Sequence, residues 1–175
     1  MTNMETERIR LRPWCDDDAE ALFKYASDPE VGPRAGWLPH KSVEESLEII
    51  RTLFHSDHMW AMELKKTGEP IGCMGYFIHG ESNIDIGAND AEVGYWVARP
   101  FWNQGLCTES LKVLIDYCFN VKGYDTLWAD YFPDNPASGR VMEKCGFRDT
   151  GQVNLCSQLQ LGSDRPVKIM KLSQK

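Results

Sequence analysis

One stretch decides the fold of this sequence: Glu92-Val-Gly-Tyr-Trp-Val-Ala-Arg-Pro-Phe-Trp-Asn-Gln-Gly-Leu-Cys-Thr-Glu-Ser-Leu111. Val93, Tyr95 and Val97 recur at every second position, which is the period of a β-strand. Pro100 ends the strand because proline has no N–H group to donate to a neighbouring strand. Farther along, apolar residues recur at helical spacing: Leu111, Leu114, Ile115, Cys118 and Phe119. The stretch therefore predicts a strand that leads through a tight loop into a helix.

The loop between this strand and this helix, Trp102–Cys107, is a candidate anion-binding turn. It contains Gly105, and a glycine at this place lets the backbone come close to a bound group. The first N–H groups of a helix have no internal partner, and the helix dipole favours negative charge there. Such a turn can hold a phosphate or pyrophosphate without any lysine. On its own, however, the loop is more typical of an ordinary connection between a strand and a helix.

A second stretch, Asn135-Pro-Ala-Ser-Gly-Arg-Val-Met-Glu-Lys-Cys-Gly-Phe147, follows the next predicted strand. With it the sequence resembles the GCN5-related N-acetyltransferases (GNAT), and within them the RimJ/RimL-like ribosomal-protein N-acetyltransferases. Their pyrophosphate loop reads Gln/Arg-x-x-Gly-x-Gly/Ala, which the loop Trp102–Cys107 matches at Gly105 and departs from at both ends. Their later pattern, Asn-x-x-Ser/Ala followed by Gly-Phe, matches Asn135, Ser138, Gly146 and Phe147. Because Thr6–Trp14 also resembles the start of the family, the resemblance covers nearly the whole chain.

The length and composition describe one globular domain over residues 1–175, with 42% hydrophobic and 26% charged residues. The 19 Lys and Arg against 26 Asp and Glu give a net charge of −7. No nucleic-acid partner is expected, since binding to phosphate backbones requires a basic surface. No apolar run is long enough to span a bilayer, so no membrane partner is expected either. The start of the chain has no signal-peptide pattern, and we expect a cytoplasmic monomer or homodimer.

Cysteine and histidine spacing gives no indication of a metal site. No C-x-x-C pair occurs among the six cysteines, which are predicted to be free, mostly buried thiols: Cys15, Cys73, Cys107, Cys118, Cys145 and Cys156. His55 and His58 straddle a predicted helix end and strand start, so they are predicted to be surface residues. We therefore expect neither a disulfide framework nor a bound metal.

The pattern of the whole chain predicts about seven strands: Arg8–Trp14, Met59–Lys65, Ile71–Ile78, Glu92–Val97, Thr126–Phe132, Phe147–Val153 and Val167–Leu172. Residues 32–40 and the polar stretch around 155–166 are predicted to be loops. Strands that are followed by crossover helices imply a mixed sheet with helices on both faces. The resemblance implies the GNAT fold, an α/β (α+β) architecture. Its twisted sheet is mostly antiparallel, and a splayed strand pair holds the acyl-CoA.

The resemblance also implies acetyl-CoA as the donor and direct transfer of its acetyl group to a primary amine. The pantetheine arm would bind backbone groups of Trp96, Val97 and Ala98, which the splayed neighbouring strand leaves free. The side chain of Asn135 would reach the pantetheine amide, although it could also cap a helix. The pyrophosphate would be held by N–H groups of the loop and the first helical turn: Asn103, Gln104, Gly105, Leu106, Cys107 and Thr108.

The reaction needs a donor that protonates the departing thiolate. Many relatives have a tyrosine seven residues after the asparagine, but here that position is Met142, which cannot donate. RimL-like members have a serine three residues after the asparagine, and this resemblance assigns the role to Ser138. A serine is, however, also a favourable residue in the first turn of a helix.

The acceptor amine must lose a proton. Many members have an acidic residue at the position of Glu92, which is therefore predicted to be the base, acting through a water molecule. Asp130, on the next predicted strand, is the second candidate. Trp37 and Trp60 are predicted to contribute to the acceptor pocket, although most tryptophans serve packing.

The predicted function is therefore N-acetylation of a primary amine, with a protein N-terminal α-amine as the favoured acceptor. The motifs bind only the donor, so a small-molecule amine such as a polyamine, an aminoglycoside or an amino acid is an open alternative. A second alternative is a non-catalytic acyl-CoA sensor, in which the missing tyrosine reflects lost turnover.

Overall fold

A computed structural model describes residues 2–158 and 163–174 of the protein. Its strands are β1 Met4–Glu5, β2 Ile9–Arg12, β3 Met59–Leu64, β4 Glu69–Ile78, β5 Asp90–Val97, β6 Thr126–Tyr131, β7 Arg148–Gln158 and β8 Ser163–Ser173. Its helices are α1 Ala19–Ala26, α2 Gly32–Ala35, α3 Val43–Thr52, α4 Leu106–Asp116 and α5 Pro136–Lys144. At its end, α4 continues into a π-helical turn over Tyr117–Lys122.

The strands form one eight-stranded sheet in the order β1-β2-β3-β4-β5-β6-β8-β7. All neighbouring pairs are antiparallel except β5 and β6, which are parallel. A parallel pair requires a crossover connection, and α4 provides it. The prediction of a mixed, mostly antiparallel sheet is therefore confirmed.

The parallel pair β5–β6 stays together over only a short distance. Its paired residues run from Asp90, opposite Thr126, to Glu92, opposite Trp128. On its other side, β5 remains paired with β4 as far as Val97. The two parallel strands therefore separate after Glu92, and the predicted splay is present in the centre of the sheet.

Helices cover both faces of the sheet, and the alternation of side chains assigns each β5 residue to one of them. On one face, Val93 and Val97 pack with α4 in the largest apolar core. On the other face, Ala61 and Cys73 of the neighbouring strands pack with α1 and α3, and Trp96 lies against this second core. We call these the α4/α5 face and the α1/α3 face. Glu92 lies on the same α1/α3 face, because it is four residues before Trp96 along the strand.

The structure departs from the predicted elements at three places. The short strand β1 was not predicted, and it pairs with β2 at the edge of the sheet. The segment predicted as a loop over 32–40 contains α2, with Pro33 in its first turn, where a missing N–H costs nothing. The polar stretch 155–166 is strand wherever it is described, because β7 and β8 form a long hairpin; residues 159–162 lie outside the described part.

All six cysteines are free thiols, as predicted. Cys73, Cys118 and Cys156 are buried, two more are partly buried, and Cys15 is exposed. Over the described residues, no His, Cys, Asp and Glu side chains are grouped in a way that could hold a metal ion. Within the same residues, no helix combines the length and the apolar content that crossing a membrane would require.

Candidate active site

A cavity of about 850 Å³ lies where β5 and β6 separate. Its walls come mainly from these two strands, from the start of α4, from α3 and α5 and from the connection between α1 and α3. We call this connection, residues 27–42, the 27–42 segment. The cavity therefore collects residues that are far apart in the sequence, and most of the predicted site residues lie in its walls.

The end of β5 offers backbone groups to the cavity at alternate residues only. The N–H of Ala98 donates to the Ile71 carbonyl on the β4 side at 2.8 Å, and Ala98 is fully buried. The carbonyl of Val97 points to the opposite side, where it accepts a hydrogen bond from the Trp102 indole at 2.6 Å. Because neighbouring residues direct their backbone groups to opposite sides, the groups that face the gap belong to Tyr95 and Val97. The prediction of backbone contacts through Trp96 and Ala98 is therefore wrong, because the backbone groups of these two residues point toward β4 and not toward the gap.

The loop before α4 has the conformation of an anion-binding turn. Asn103 and Gly105 both have left-handed backbone angles, with φ of 60° and 77°. The first bond within α4 runs from the Glu109 N–H to the Gly105 carbonyl at 2.9 Å. The N–H groups of residues 106–108 therefore have no partner inside the helix. Five residues of this region line the cavity, and their binding of the pyrophosphate stays a prediction: Asn103, Gly105, Leu106, Cys107 and Thr108.

Gln104 lies behind this loop and does not line the cavity. Its carbonyl accepts a hydrogen bond from Arg8 at 3.0 Å, and its side-chain amide donates to the Pro100 carbonyl at 3.0 Å. Arg8 also pairs with Glu109 at 2.6 Å and so connects the loop to the first turn of α4. These bonds occupy its carbonyl and its side chain and fix the shape of the loop, whereas the predicted pyrophosphate contact of the Gln104 N–H stays a prediction.

Asn135 begins α5, but its side chain does not cap the helix. The side-chain amide instead donates to the Arg34 carbonyl of the 27–42 segment at 3.2 Å. Arg165 of β8 holds the same segment, because it donates to the Pro33 carbonyl at 3.0 Å. Asn135 also lines the cavity. Its place thus suits the predicted pantetheine contact, whereas the alternative role as a side-chain cap is wrong.

Ser138 and Tyr95 form a pair of hydroxyl groups on the α4/α5 face. The Ser138 Oγ donates to the Tyr95 hydroxyl at 3.2 Å, which in turn donates to the Ser138 carbonyl at 2.9 Å. Burial raises the pKa of Tyr95 well above its ordinary value, so its hydroxyl stays protonated.

Gly139, the residue after Ser138, lets α5 approach β6, because a Cβ at this position would come within 2.7 Å of the Tyr131 ring. Met142 is buried in the core.

Two carboxylates lie on the opposite, α1/α3 face. Glu92 is only 4% exposed, and it accepts hydrogen bonds from the Ser82 hydroxyl at 2.6 Å and the Asn83 N–H at 3.0 Å. It is thus a wall residue and not a residue of the cavity rim. Burial raises the pKa of Glu92, although these hydrogen bonds oppose the effect. Asp130 of β6 lines the cavity beside it, and burial together with the charge of Glu92 raises the pKa of Asp130 to about 7.

The two predicted acceptor tryptophans have different surroundings. Trp37 lines the cavity, and its ring meets the Trp96 ring edge-on with a centroid distance of 5.6 Å. Trp60 is fully buried in the core of the α4/α5 face, where its indole donates to the Thr2 carbonyl at 3.0 Å. The assignment of Trp60 to the acceptor pocket is wrong, because the alternation along β3 turns its side chain away from the α1/α3 face.

Comparison with known proteins identifies the family. Residues 8–148 match the family model described as Acetyltransferase (GNAT) domain. The chain belongs to the GNAT family. Among its relatives, the uncharacterized N-acetyltransferase YoaA of Bacillus subtilis is 31% identical over 153 residues, which cover 85% of this chain and 84% of that protein.

Solved structures agree with the GNAT fold. A GNAT acetyltransferase from Bacillus anthracis superposes with a TM-score of 0.82 at 19% identity and covers 98% of both chains. Mycobacterium smegmatis RimJ, solved in complex with CoA-disulfide, superposes with a TM-score of 0.77 at 23% identity over 98% of this chain and 87% of that one. These structures share the fold of this GNAT enzyme, which is an acyltransferase.

GNAT enzymes use acetyl-CoA, whose thioester supplies an acetyl group activated toward amines. The separated strands, the left-handed loop and the N–H groups of residues 106–108, which have no partner inside α4, fit such a donor in this GNAT enzyme. The alternation along β5 then divides the chemistry between the two faces of the sheet. Ser138 and Tyr95 lie on the α4/α5 face, whereas Glu92 and Asp130 lie on the α1/α3 face. Proton donation and proton removal would therefore take place on opposite sides of the gap.

The sequence did not single out two basic residues of this GNAT enzyme. Arg140 and Lys144 are one turn apart on α5, and both line the cavity. Among the described residues, neither forms a salt bridge. In a chain with a net charge of −7, these two side chains place positive charge at the cavity wall, which would favour a phosphate-rich ligand. Their helical spacing could have pointed to them, whereas Tyr95 could not be told apart from a core residue by its strand pattern.

The role of Ser138 in this GNAT enzyme leads to a first prediction. We expect Ser138→Ala to lower kcat more than it raises KM, because a hydrogen bond to the thiolate strengthens only as charge develops. Removing such a donor commonly costs ~10²–10³ in rate, and we expect less here because a thiolate leaves more easily than an alkoxide. Tyr95→Phe is the companion variant: it removes the hydroxyl that accepts the Ser138 hydrogen bond but keeps the Ser138 hydroxyl, so it should lower kcat less than Ser138→Ala does. A kcat equal to that of the wild type in Ser138→Ala would leave the serine with a structural role only.

The two tryptophans of this GNAT enzyme give a second prediction. We expect Trp37→Ala to raise KM for the acceptor by about tenfold, which corresponds to ~1.4 kcal/mol of lost binding, while KM for acetyl-CoA changes less. Trp60→Phe should lower the melting temperature, because it loses the indole hydrogen bond and part of a packed core, but it should leave both KM values unchanged. Steady-state kinetics and thermal unfolding of both variants test this. An acceptor KM that responds to Trp60→Phe would contradict the corrected assignment.

Proposed function

We propose that this enzyme moves the acetyl group of acetyl-CoA directly to a primary α-amine, with a protein N-terminus as the favoured acceptor. One observation carries the proposal: Glu92 and Asp130 form an acidic wall on the face of the gap opposite the Ser138 and Tyr95 hydroxyls. An amine that arrives as a cation is attracted to such a wall. The aromatic rings of Trp37 and Trp96 border the same side and can pack against the apolar part of an acceptor.

The strength of the available base supports an α-amine as the acceptor. An N-terminal α-amine has a pKa of about 8, whereas a lysine side chain has a pKa of about 10.4. A carboxyl group with a pKa of about 7, such as Asp130, lies close to the first value and more than three units below the second. Each unit corresponds to ~1.4 kcal/mol, so deprotonation of a lysine would be much harder at this site. The resemblance of the sequence to the RimJ/RimL-like ribosomal-protein N-acetyltransferases is a further reason to favour a protein N-terminus.

The test is a thiol-release assay with acetyl-CoA and a panel of amines. The panel contains a peptide with a free N-terminus, the same peptide with a blocked N-terminus and one lysine, a free amino acid, a polyamine and an aminoglycoside. We expect the highest kcat/KM with the free N-terminus and almost no turnover with the blocked peptide. Higher kcat/KM with the polyamine or the aminoglycoside would favour a small-molecule enzyme. Binding of acetyl-CoA without release on any amine would favour a sensor.

A further inference from the structure

A buried carboxylate oxygen without a hydrogen-bond partner lies at the wall of the cavity. Among the described residues, none donates to Oδ2 of Asp130, and this atom is shielded from solvent. Leaving a buried acceptor unpaired typically costs ~1–3 kcal/mol. Because Asp130 also lines the cavity, a bound ligand with an N–H group can supply the missing donor.

Glu92, the other carboxylate, is already engaged. Its Oε2 accepts hydrogen bonds from the Ser82 hydroxyl at 2.6 Å and from the Asn83 N–H at 3.0 Å. These bonds hold the side chain in one orientation and stabilise its charged form. To take a proton at this oxygen, Glu92 would have to give up at least part of this arrangement.

The two carboxylates are neighbours on the same face of the sheet. Glu92 is paired with Trp128, and Asp130 follows two residues later, so all three side chains point to the α1/α3 face. Two carboxylates that share a buried site resist carrying a full charge each. The better-stabilised one, Glu92, keeps its charge, and the other, Asp130, retains a proton more readily.

We propose that Asp130 receives the acceptor ammonium and takes its proton, while Glu92 is a positioning residue that acts through Asp130. The proposal deepens the proposed function and rests on it. The ammonium gives one proton to Asp130, which passes it to solvent. The free amine then forms the C–N bond as the thioester C–S bond breaks. The nitrogen loses its second proton along the same route, and the sulfur gains one from Ser138 or solvent, so one proton is released in total.

The electrostatic surroundings support this division of roles. Burial raises the pKa of Asp130 to about 7, and the negative charge of Glu92 adds to the effect. On β8, the residue opposite Asp130 is the apolar Ile169. The other basic and acidic side chains at the cavity wall come from the 27–42 segment, α3 and α5: Arg34, His40, Lys41, Glu45, Arg140 and Lys144. The remaining titratable groups there are two tyrosines and two cysteines: Cys73, Tyr95, Cys107 and Tyr131. A base with this pKa lies near the pKa of about 8 of an α-amine, which is the match that proton transfer needs.

The kinetic test compares Asp130→Asn with Glu92→Gln on the best acceptor of the amine panel, with kcat/KM measured from pH 6 to pH 10. We expect Asp130→Asn to lose ~10²–10⁴ in kcat/KM at neutral pH, with partial recovery at high pH as free amine becomes available. We expect a smaller loss in Glu92→Gln and a shift of the acidic limb of its profile to lower pH, because Asp130 then has no negative neighbour. A larger loss in Glu92→Gln than in Asp130→Asn would overturn the proposal.

A second readout does not depend on turnover. The pKa of Asp130 is higher in the folded than in the unfolded protein, so its burial costs stability as pH rises through about 7 and costs nothing below the unfolded value of about 3.9. Asp130→Asn should therefore unfold at higher urea concentration than the wild type at pH 8, and at the same concentration near pH 4. Equal pH dependence in the two proteins would overturn the proposal.

The two readouts separate this proposal from the proposed function. If the wild type prefers a polyamine to the peptide, the proposed function fails, and the same variants are compared on the polyamine. Absence of turnover with every amine would overturn both. Full activity of Asp130→Asn on any good acceptor would overturn the role of Asp130 alone.

Discussion

Replacing Gly105 with glutamate should weaken acetyl-CoA binding by at least ~100-fold, which corresponds to ~2.7 kcal/mol. Gly105 precedes α4 with a left-handed φ of 77°, in the loop that lines the cavity. A glutamate would place bulk and negative charge beside the N–H groups of residues 106–108, where we expect the pyrophosphate. The backbone angle adds a further cost, because residues with a Cβ adopt it only with strain. Titration calorimetry with acetyl-CoA measures the change.

Two matched variants separate the charge from the strain. Gly123→Glu introduces the same residue at a φ of 76°, in open space and away from the cavity. It should destabilise the protein by a similar amount and bind acetyl-CoA like the wild type. Gly105→Ala introduces the strain without the charge, since its Cβ would make only an ordinary contact with Arg8 at 3.6 Å. An affinity of folded Gly105→Glu equal to that of Gly123→Glu would exclude this loop as the pyrophosphate site.

Replacing Arg12 with methionine should destabilise the protein by ~3–5 kcal/mol, which is the usual cost of leaving buried charges unpaired. Arg12 makes a two-pronged ion pair with Asp18 at 2.7 and 2.8 Å and a second pair with Glu63 at 2.6 Å. Both carboxylates are buried, with 5% and 8% of their residue surfaces exposed. Glu63 keeps a partner in Arg10, whereas Asp18 loses its cation. Urea unfolding at pH 7 measures the loss.

The pH dependence of this loss identifies its cause. Burial alone would raise the pKa of Asp18, but the hydrogen bonds from Arg12 and from the Cys15 N–H outweigh it, so the pKa lies below its ordinary value. Its contribution to stability is therefore present above the unfolded pKa of about 3.9 and is lost as pH falls through the folded pKa. Without Arg12, burial should raise the pKa of Asp18, so the deficit of the variant should shrink toward pH 4.

An exposed ion pair provides the control for Arg12. Arg51 and Asp16 lie 2.6 Å apart, and each side chain is 56% exposed. Pairs of this kind contribute about 0–1 kcal/mol, so Arg51→Met should change the free energy of unfolding by no more than that. Equal losses in the Arg12 and Arg51 variants, or a loss in Arg12→Met that does not vary with pH, would contradict the account of a buried network.

Local patterns in the sequence predicted the part of the site that is built from neighbouring residues. The strand, the loop with Gly105 and the helix after Thr108 follow directly from periodicity and from one glycine. The hydroxyl of Ser138 could be placed at the start of α5 for the same reason. Each of these inferences needs only a few consecutive residues, because strand period, turn conformation and helix start are local properties.

The other features of the site depend on contacts between residues that are far apart in the sequence. Asn135 donates to Arg34, a residue 101 positions away, and nothing near Asn135 distinguishes this link from a helix cap. Trp60 lies in a strand that is buried on both sides, so its pattern does not tell the core from the cavity. Most described side chains of β7 are exposed and many are polar, so the sequence pattern predicts a shorter strand than the structure has.

The relation between the two carboxylates is also non-local. Whether Glu92 or Asp130 is the freer group is decided by Ser82 and Asn83, whose hydrogen bonds reach Glu92 from the connection before β5. The register between β5 and β6 then determines which side chains become neighbours. Neither the hydrogen bonds to Glu92 nor the register between β5 and β6 can be predicted from the local pattern of residues 92–130.

Because β5 and β6 pair over only a short distance, binding of acetyl-CoA between them should increase the stability of the folded protein. Within the described part of the chain, three residue pairs join β5 to β6, from Asp90–Thr126 to Glu92–Trp128. A ligand that binds only the folded state stabilises it by about 2.7 kcal/mol at a concentration of 100 Kd. Amide hydrogens of Tyr95 and Val97 should then exchange more slowly with solvent, and local opening should become rarer. Without bound acetyl-CoA, the sheet should open more often at this junction, so limited proteolysis should cleave the unliganded enzyme faster than the liganded enzyme.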